Sequence, residues 1–213
     1  MASFEAAIEA EADMLEFDIR LTRDRVPVVI HDNRLNRTHN ISGTISQMTL
    51  AQLQQSTKHL PIPTLNQVLD AYFGKIMLNI ELKSRGSAKI VHQILKDRAG
   101  KSQNKWDNVL ISSFLASELI AMRKLEPQVN LAMLHDNNPF GFIAYQRYLK
   151  LTAVGFHRLH TNCFATEVAK KSGLFCYIYT VNRPKSARRF ASRGFDGIVT
   201  NYPDKIASEL SSD

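Results

Sequence analysis

Apolar and polar residues in this chain follow two periods, and the periods take turns. Short runs rich in β-branched and aromatic residues read as strands, whereas stretches with a 3.6-residue apolar repeat read as helices. The pattern predicts a helix over 2–12, a strand over 14–19, an apolar run at 26–30 and a long segment from Asp32 to Pro63. Helices over 65–73, 87–98, 116–125, 140–149, 164–172, 184–192 and 203–210 then interleave with strands over 76–82, 108–113, 129–134, 153–159, 174–181 and 196–200. Thr64 with Gln67, and Thr49 with Gln52, have the spacing of capping boxes. Gly173 closes one helix and Pro184 opens the next. Runs such as Ile76-Met-Leu-Asn-Ile80 are nearly continuous in apolar residues, as expected of strands covered by helices on their faces.

Strict strand-helix alternation implies a parallel α/β fold, either a (β/α)8 barrel of the TIM type or an open doubly wound sheet. No Gly-x-Gly-x-x-Gly follows an early strand, which argues against the dinucleotide-binding version. Groups able to do chemistry gather at the C-terminal ends of several strands: Glu16 and Asp18, Glu81 and Lys83, Ser112 and Ser113, His135, His160, Thr180 and Asn182. That distribution is the pattern of a barrel enzyme. Seven main strands are each followed by a helix, but the first helix has no strand before it. The barrel is therefore expected to be incomplete, lacking its first strand and leaving that strand's two neighbours as unpaired edges.

Composition sharpens the picture little. The 213 residues fit one domain with a sizeable core, and a mean hydropathy of −0.21 is ordinary for a soluble protein. Apolar runs are too short to span a bilayer and the N-terminus does not read as a secretory signal, so a soluble, cytoplasmic protein is expected. Two cysteines, Cys163 and Cys176, with no Cys-x-x-Cys spacing accord with a reducing compartment and give no case for zinc. The net charge of +7 is uneven: residues 1–140 hold 16 Lys/Arg against 15 Asp/Glu, and residues 141–213 hold 11 against 5. Lys170, Lys171, Arg188, Arg189 and Arg193 fall on polar helix faces, so the surplus is read as solvated surface and no nucleic-acid partner is expected.

The chemistry concentrates in Met14-Leu-Glu-Phe-Asp-Ile19. Glu16 and Asp18 alternate with apolar residues and so share one side of a strand, about 6.6 Å apart along it. Burying such a pair requires a cation, hydrogen-bond donors or water. Asn79-Ile-Glu81-Leu-Lys83 repeats the arrangement, with Glu81 and Lys83 on one face. Three carboxylates converging at a barrel mouth can hold Mg²⁺ or Ca²⁺ through oxygen ligands, and Lys83 can meet a phosphate oxygen as a point charge.

The run Glu16-Phe-Asp18, Leu21-Thr-x-Asp24, Pro27-Val-Val-Ile-His31-Asp32 and Leu35-x-Arg37-Thr38 resembles the glycerophosphodiester phosphodiesterase family. So do Ile62-Pro-Thr-Leu65, Asn79-Ile-Glu81-Leu-Lys83, Ser113-Phe114, Tyr179-Thr-Val-Asn182 and the closing Gly194-Phe-Asp-Gly-Ile-Val-Thr-Asn-Tyr-Pro203. The resemblance covers nearly the whole chain, in order. It implies a phosphoric diester hydrolase that converts glycerophosphodiesters to sn-glycerol 3-phosphate and an alcohol. It further implies that Glu16, Asp18 and Glu81 bind a divalent cation, Mg²⁺ or Ca²⁺, that His31 is one of two acid/base histidines, and that Lys83 contacts phosphate. Residues 32–63 would be an insertion covering the mouth of a single domain over 1–213. Family members usually begin with a strand leading into His-Arg-Gly and then Pro-Glu-Asn-Thr, and this chain starts inside the helix that follows. The resemblance therefore implies that the first histidine is absent and activity impaired.

Blander readings stand beside these. The acidic trio can be a salt-bridge cluster with Lys83 or Arg20, and His31 can cap a turn through Asp32. His135 and His160 read as structural. Arg37 either orients the covering loop or meets substrate, and Phe114, Phe140, Phe156 and Tyr179 divide between core and a wall for the alcohol. A non-catalytic barrel that binds a phosphorylated ligand, or self-assembles as a homo-oligomer through its exposed edges, is the alternative from another class.

Overall fold

In a computed structural model that describes residues 1–100 and 106–211, the predicted alternation is realised almost element for element. Helix α1 (Ala2–Glu9) leads into β1 (Met14–Leu21), which turns back into β2 (Pro27–Val29). The segment after β2 holds α2 (Asn36–His39), a 3-10 turn (Ile45–Gln47) and α3 (Leu50–Ser56). Then come α4 (Leu65–Tyr72), β3 (Met77–Leu82), α5 (Ser87–Ala99), β4 (Val109–Ser113), α6 (Ala116–Leu125) and β5 (Asn130–His135). The chain closes with α7 (Phe142–Leu149), β6 (Ala153–His157), α8 (Cys163–Lys171), β7 (Phe175–Tyr179), α9 (Pro184–Ser192), β8 (Gly197–Ile198) and α10 (Pro203–Leu210).

The eight strands form one sheet in the order β2-β1-β3-β4-β5-β6-β7-β8. All neighbours are parallel except β2, which runs antiparallel to β1. Side chains on the concave side of β1, β3, β4 and β7, those of Glu16, Asn79, Ser112 and Tyr177, line one common cavity, so the sheet is curled as in a (β/α)8 barrel. Among the described residues β1 and β8 do not pair with each other, and the curl stays open between them. Phe4 of α1 and Ile206 of α10 flank that seam. The gap anticipated from the strand count is thus present, but only β8 is left as an open edge along its length, because β2 folds back on β1 over Ile19–Leu21.

Alternation along the strands sorts the core into layers. Leu15, Phe17 and Ile19 of β1 pack outward with Leu78, Ile80 and Leu82 of β3 against the helices, in a cluster that extends to Ile178 and Phe190. Each such full burial contributes about 1.5–3 kcal/mol. A smaller inner cluster of Leu110, Ala132, Leu134, Ala153 and Tyr177 plugs the interior of the curl. Gly155 makes room for it, because a Cβ there would lie 2.5 Å from Leu134 and 2.8 Å from Tyr177. A third cluster, Val28, Ile30, Leu35, Ile45, Leu53 and Ile62, belongs to β2 and the segment after it. Both capping boxes form, at the starts of α3 and α4. No helix of the described residues is long and apolar enough to cross a membrane.

The turn after β3 is held from a neighbouring helix. Buried Glu118 of α6 accepts hydrogen bonds from the Gly86 N–H (2.7 Å), the Ala88 N–H (2.9 Å) and the Ser87 hydroxyl (3.3 Å), supplying acceptors for the otherwise open start of α5. Gly86 has φ +74°, and a Cβ there would lie 2.7 Å from the Arg25 guanidinium that donates to its carbonyl. Ser84 in the same turn accepts from the Leu21 N–H, which ties β1 to β3 beyond their ladder. Replacing Glu118 with Ala is expected to cost about 1.5–3 kcal/mol, the usual loss for hydrogen bonds to a charged group. Chemical denaturation checks this, and a loss below about 0.5 kcal/mol contradicts it.

Candidate active site

The β1–β3 register places Glu16 beside Asn79 and Asp18 beside Glu81. All of these point into the curl. Carboxylate oxygens of Glu16, Asp18 and Glu81 lie within 4.8 Å of one another. Lys83, two residues beyond Glu81, reaches back between two of them, 2.6 Å from Glu81 Oε1 and 3.0 Å from Asp18 Oδ1. Burial, reinforced by the charges of Asp18 and Glu81, holds the Glu16 carboxyl well above the usual carboxylate range. Burial likewise raises Glu81, with Lys83 opposing. Burial works against the Lys83 charge, but Asp18 and Glu81 outweigh it and raise its pKa, so the ammonium persists.

Three clustered carboxylates sharing one ammonium make an all-oxygen, anionic donor set under electrostatic pressure. Such a set suits a hard divalent cation, and the small spread of its oxygens fits one ion. The salt-bridge reading is realised too, since Lys83 neutralises part of the cluster; the two readings describe the same side chains.

His31 follows β2 and is exposed. Its Nδ1 lies 2.6 Å from Asp32 Oδ1, and Arg37 Nε donates to Asp32 Oδ2 at 2.6 Å. The Arg37 and His31 hydrogen bonds hold Asp32 far below the ordinary carboxylate range, so it is ionised at neutral pH. An ionised Asp32 favours a proton on His31 Nδ1 and leaves Nε2 free. His31 and Arg37 both line the cavity that holds the acidic trio, a space of about 2010 Å³ that runs into the open seam. All six residues singled out from sequence, Glu16, Asp18, Glu81, Lys83, His31 and Arg37, therefore face one cavity.

Other candidates divide. Ser112, Thr180, Asn182, Phe114 and Tyr179 line the same cavity, and Phe114 and Tyr179 meet edge-on with centroids 6.0 Å apart. Ser113 instead donates to the Leu82 carbonyl at 2.6 Å, and Phe156 is core. Phe140 packs on Phe164. His160 stacks on His157 at 5.2 Å. His135 turns away, against Gly141 and Phe142.

Sequence reasoning missed the roles of several groups. Arg20, weighed only as an ion-pair partner of the trio, continues the Glu16, Asp18 alternation, and its Nε donates to the His31 carbonyl at 2.7 Å, anchoring the loop that carries the histidine. That periodicity was the available signal. Asp136, His157 and Arg158 also reach the cavity. Strand β6 ends at His157, two residues earlier than the apolar run suggests, which puts His157 at the mouth.

A model of the glycerophosphoryl diester phosphodiesterase family matches residues 1–205. The chain belongs to this family. Bacillus subtilis YhdW is 33% identical over 226 residues, covering 98% of this chain and 90% of that protein. The glycerophosphodiester phosphodiesterase of Bacillus altitudinis is 31% identical, over 99% of this chain and 92% of its own length. Among solved structures, an Oleispira antarctica phosphodiesterase in complex with the product sn-glycerol-3-phosphate superposes with a TM-score of 0.86 at 25% identity, covering 99% of this chain and 90% of that one. Family membership and this likeness establish the barrel type of the fold inferred from strand-helix alternation.

Burial pushes His135 down to about 4, with Asp136 opposing, so the folded protein holds this imidazole neutral. An imidazole depressed in the folded state contributes stability that is complete above its unfolded pKa of about 6.5 and is lost as pH falls from there towards 4. The melting temperature is therefore expected to drop between pH 7 and pH 5, and to drop less in His135→Gln. Equal slopes for the two proteins in thermal melts would refute that assignment.

Proposed function

We propose that this chain catalyses metal-dependent hydrolysis of glycerophosphodiesters to sn-glycerol 3-phosphate and an alcohol, with His31 as an acid/base histidine. The observation that carries the reading is the convergence of Glu16, Asp18 and Glu81, with Lys83 between two of them, in the cavity that also contains His31. The product bound in the Oleispira phosphodiesterase supports the substrate class.

In this reading Glu16, Asp18 and Glu81 hold Mg²⁺ or Ca²⁺, and the bound ion offsets negative charge on the phosphoryl oxygens. Lys83 presents its ammonium to a phosphoryl oxygen, a contact available once a cation relieves it of neutralising Asp18 and Glu81. Arg37 offers the edge of its guanidinium not engaged by Asp32 to the same anion. His31 exchanges a proton at Nε2 with the attacking or the leaving oxygen, while the Asp32 carboxylate steadies the imidazolium that forms. Phe114 and Tyr179 give the alcohol a wall from which water is excluded. Residues 32–63 cover the mouth of the single domain, and the two free cysteines accord with a cytoplasmic site of action.

Release of sn-glycerol 3-phosphate from glycerophosphocholine or glycerophosphoethanolamine tests the proposal. It is expected to stop on chelation, to return with Mg²⁺ or Ca²⁺, and to fall at least about 10²-fold in Glu81→Gln. Release indifferent to both chelation and Glu81→Gln would sink the proposal.

The open edge of β8, and the start of β1 that the short β2 leaves uncovered, favour a second reading, a non-catalytic barrel that binds a phosphorylated ligand and pairs with another copy. Dimers in solution, together with ligand binding and no turnover, would select it.

A further inference from the structure

Beside the cavity of the acidic trio lies a second hollow, of about 520 Å³, formed by Arg20, Asp32, Asn33, Arg34, Asn36 and Arg37. Its volume falls within the ~300–1000 Å³ range of small-molecule sites. Three guanidinium groups face one carboxylate there, a net charge of +2. The single carboxylate is already engaged, with Arg37 on one oxygen and His31 on the other. Arg20 spends one nitrogen on the His31 carbonyl and keeps the rest of its fork. Arg34 forms no ion pair with a carboxylate among the described residues and is exposed. Asn33 and Asn36 add neutral amide side chains to the lining. Arginine forks suit phosphate and carboxylate oxygens because they donate in pairs.

Arg37 lines both spaces, so the two are contiguous. A diester seated at Lys83 can therefore send one arm past Arg37 into the basic hollow. We propose that the Arg20, Arg34 and Arg37 hollow is a subsite for a second anionic group on the leaving alcohol, and that the chain prefers glycerophosphodiesters whose alcohol bears a phosphate monoester. The proposal rests on the phosphodiesterase reading above. It concerns selectivity: Arg37 and Asp32 are shared with the reacting centre, whereas Arg20 and Arg34 line only the hollow.

Two substrates test it: glycerophosphoglycerol, and the same diester with a phosphate monoester on its second glycerol. kcat/KM is measured with metal at low and high salt, and calorimetry with chelator present compares their binding without turnover. The phosphorylated diester is expected to be favoured about tenfold at low salt in both measurements, the size of one charge-assisted contact. The advantage should shrink as salt screens exposed charges. Arg34→Gln should remove most of it and leave glycerophosphoglycerol unaffected. Equal treatment of the two diesters by the unaltered chain, or an advantage that survives Arg34→Gln, overturns the subsite. If neither diester is hydrolysed the phosphodiesterase reading fails, and the calorimetric comparison still decides the fate of the subsite.

Discussion

Three carboxyl groups held at the top of two adjacent strands set the terms for much of this molecule. Asp18 and Glu81 are register partners, Glu16 lies one pleat below, and their oxygens share a sphere small enough for a single ion. They are flanked by the outer apolar layer of β1 and β3 and by the inner cluster of Leu110, Leu134 and Tyr177. Charge in that setting must be compensated locally. Lys83 does part of it, and the residual pressure shows in the raised carboxyls of Glu16 and Glu81. Much of the surrounding architecture keeps that geometry fixed. Ser84 clamps β1 to the end of β3, Ser113 holds the Leu82 carbonyl, and Glu118 anchors the turn that follows Lys83.

Much of this is written in local periodicity. Glu16, Asp18, Glu81 and Lys83 each sit at an alternating position of a short apolar strand, so their common direction follows from the pleat alone. The ends of elements were less legible. Strand β8 is only Gly197–Ile198 and pairs only with β7; the strand count announced an open edge, but not how far the strand beside it would shorten. His135 illustrates a different limit. It stands at a strand end like the functional groups, yet its ring packs on Gly141, and only the loop's path decides which way it turns. Arg20 was legible in principle, because it extends the same alternation. Its bond to the His31 carbonyl depends on β2 folding back antiparallel, which no single-strand pattern announces.

The histidine side of the site is built on different physics. His31 is exposed, and its orientation comes from a chain of charged hydrogen bonds running from Arg37 through Asp32 to the imidazole, rather than from packing. Such a chain is exposed to water and to screening by salt, whereas the carboxylate cluster is mostly buried. The two halves of the site also differ in the certainty with which geometry is imposed: ladder hydrogen bonds on one side, side-chain contacts on the other.

The separate apolar cluster of Val28, Ile30, Leu35, Ile45, Leu53 and Ile62 gives that division a further meaning. His31 and Arg37 ride on a packing unit whose core is its own, while the acidic trio rides on the barrel. Opening of that unit alone would withdraw the histidine and the arginines while the barrel stayed folded, so the two can have different thresholds of unfolding. Divergence can act on them separately as well. Exchanging the segment after β2 would change the groups that His31, Arg34 and Arg37 present and leave the carboxylates on β1 and β3 in place.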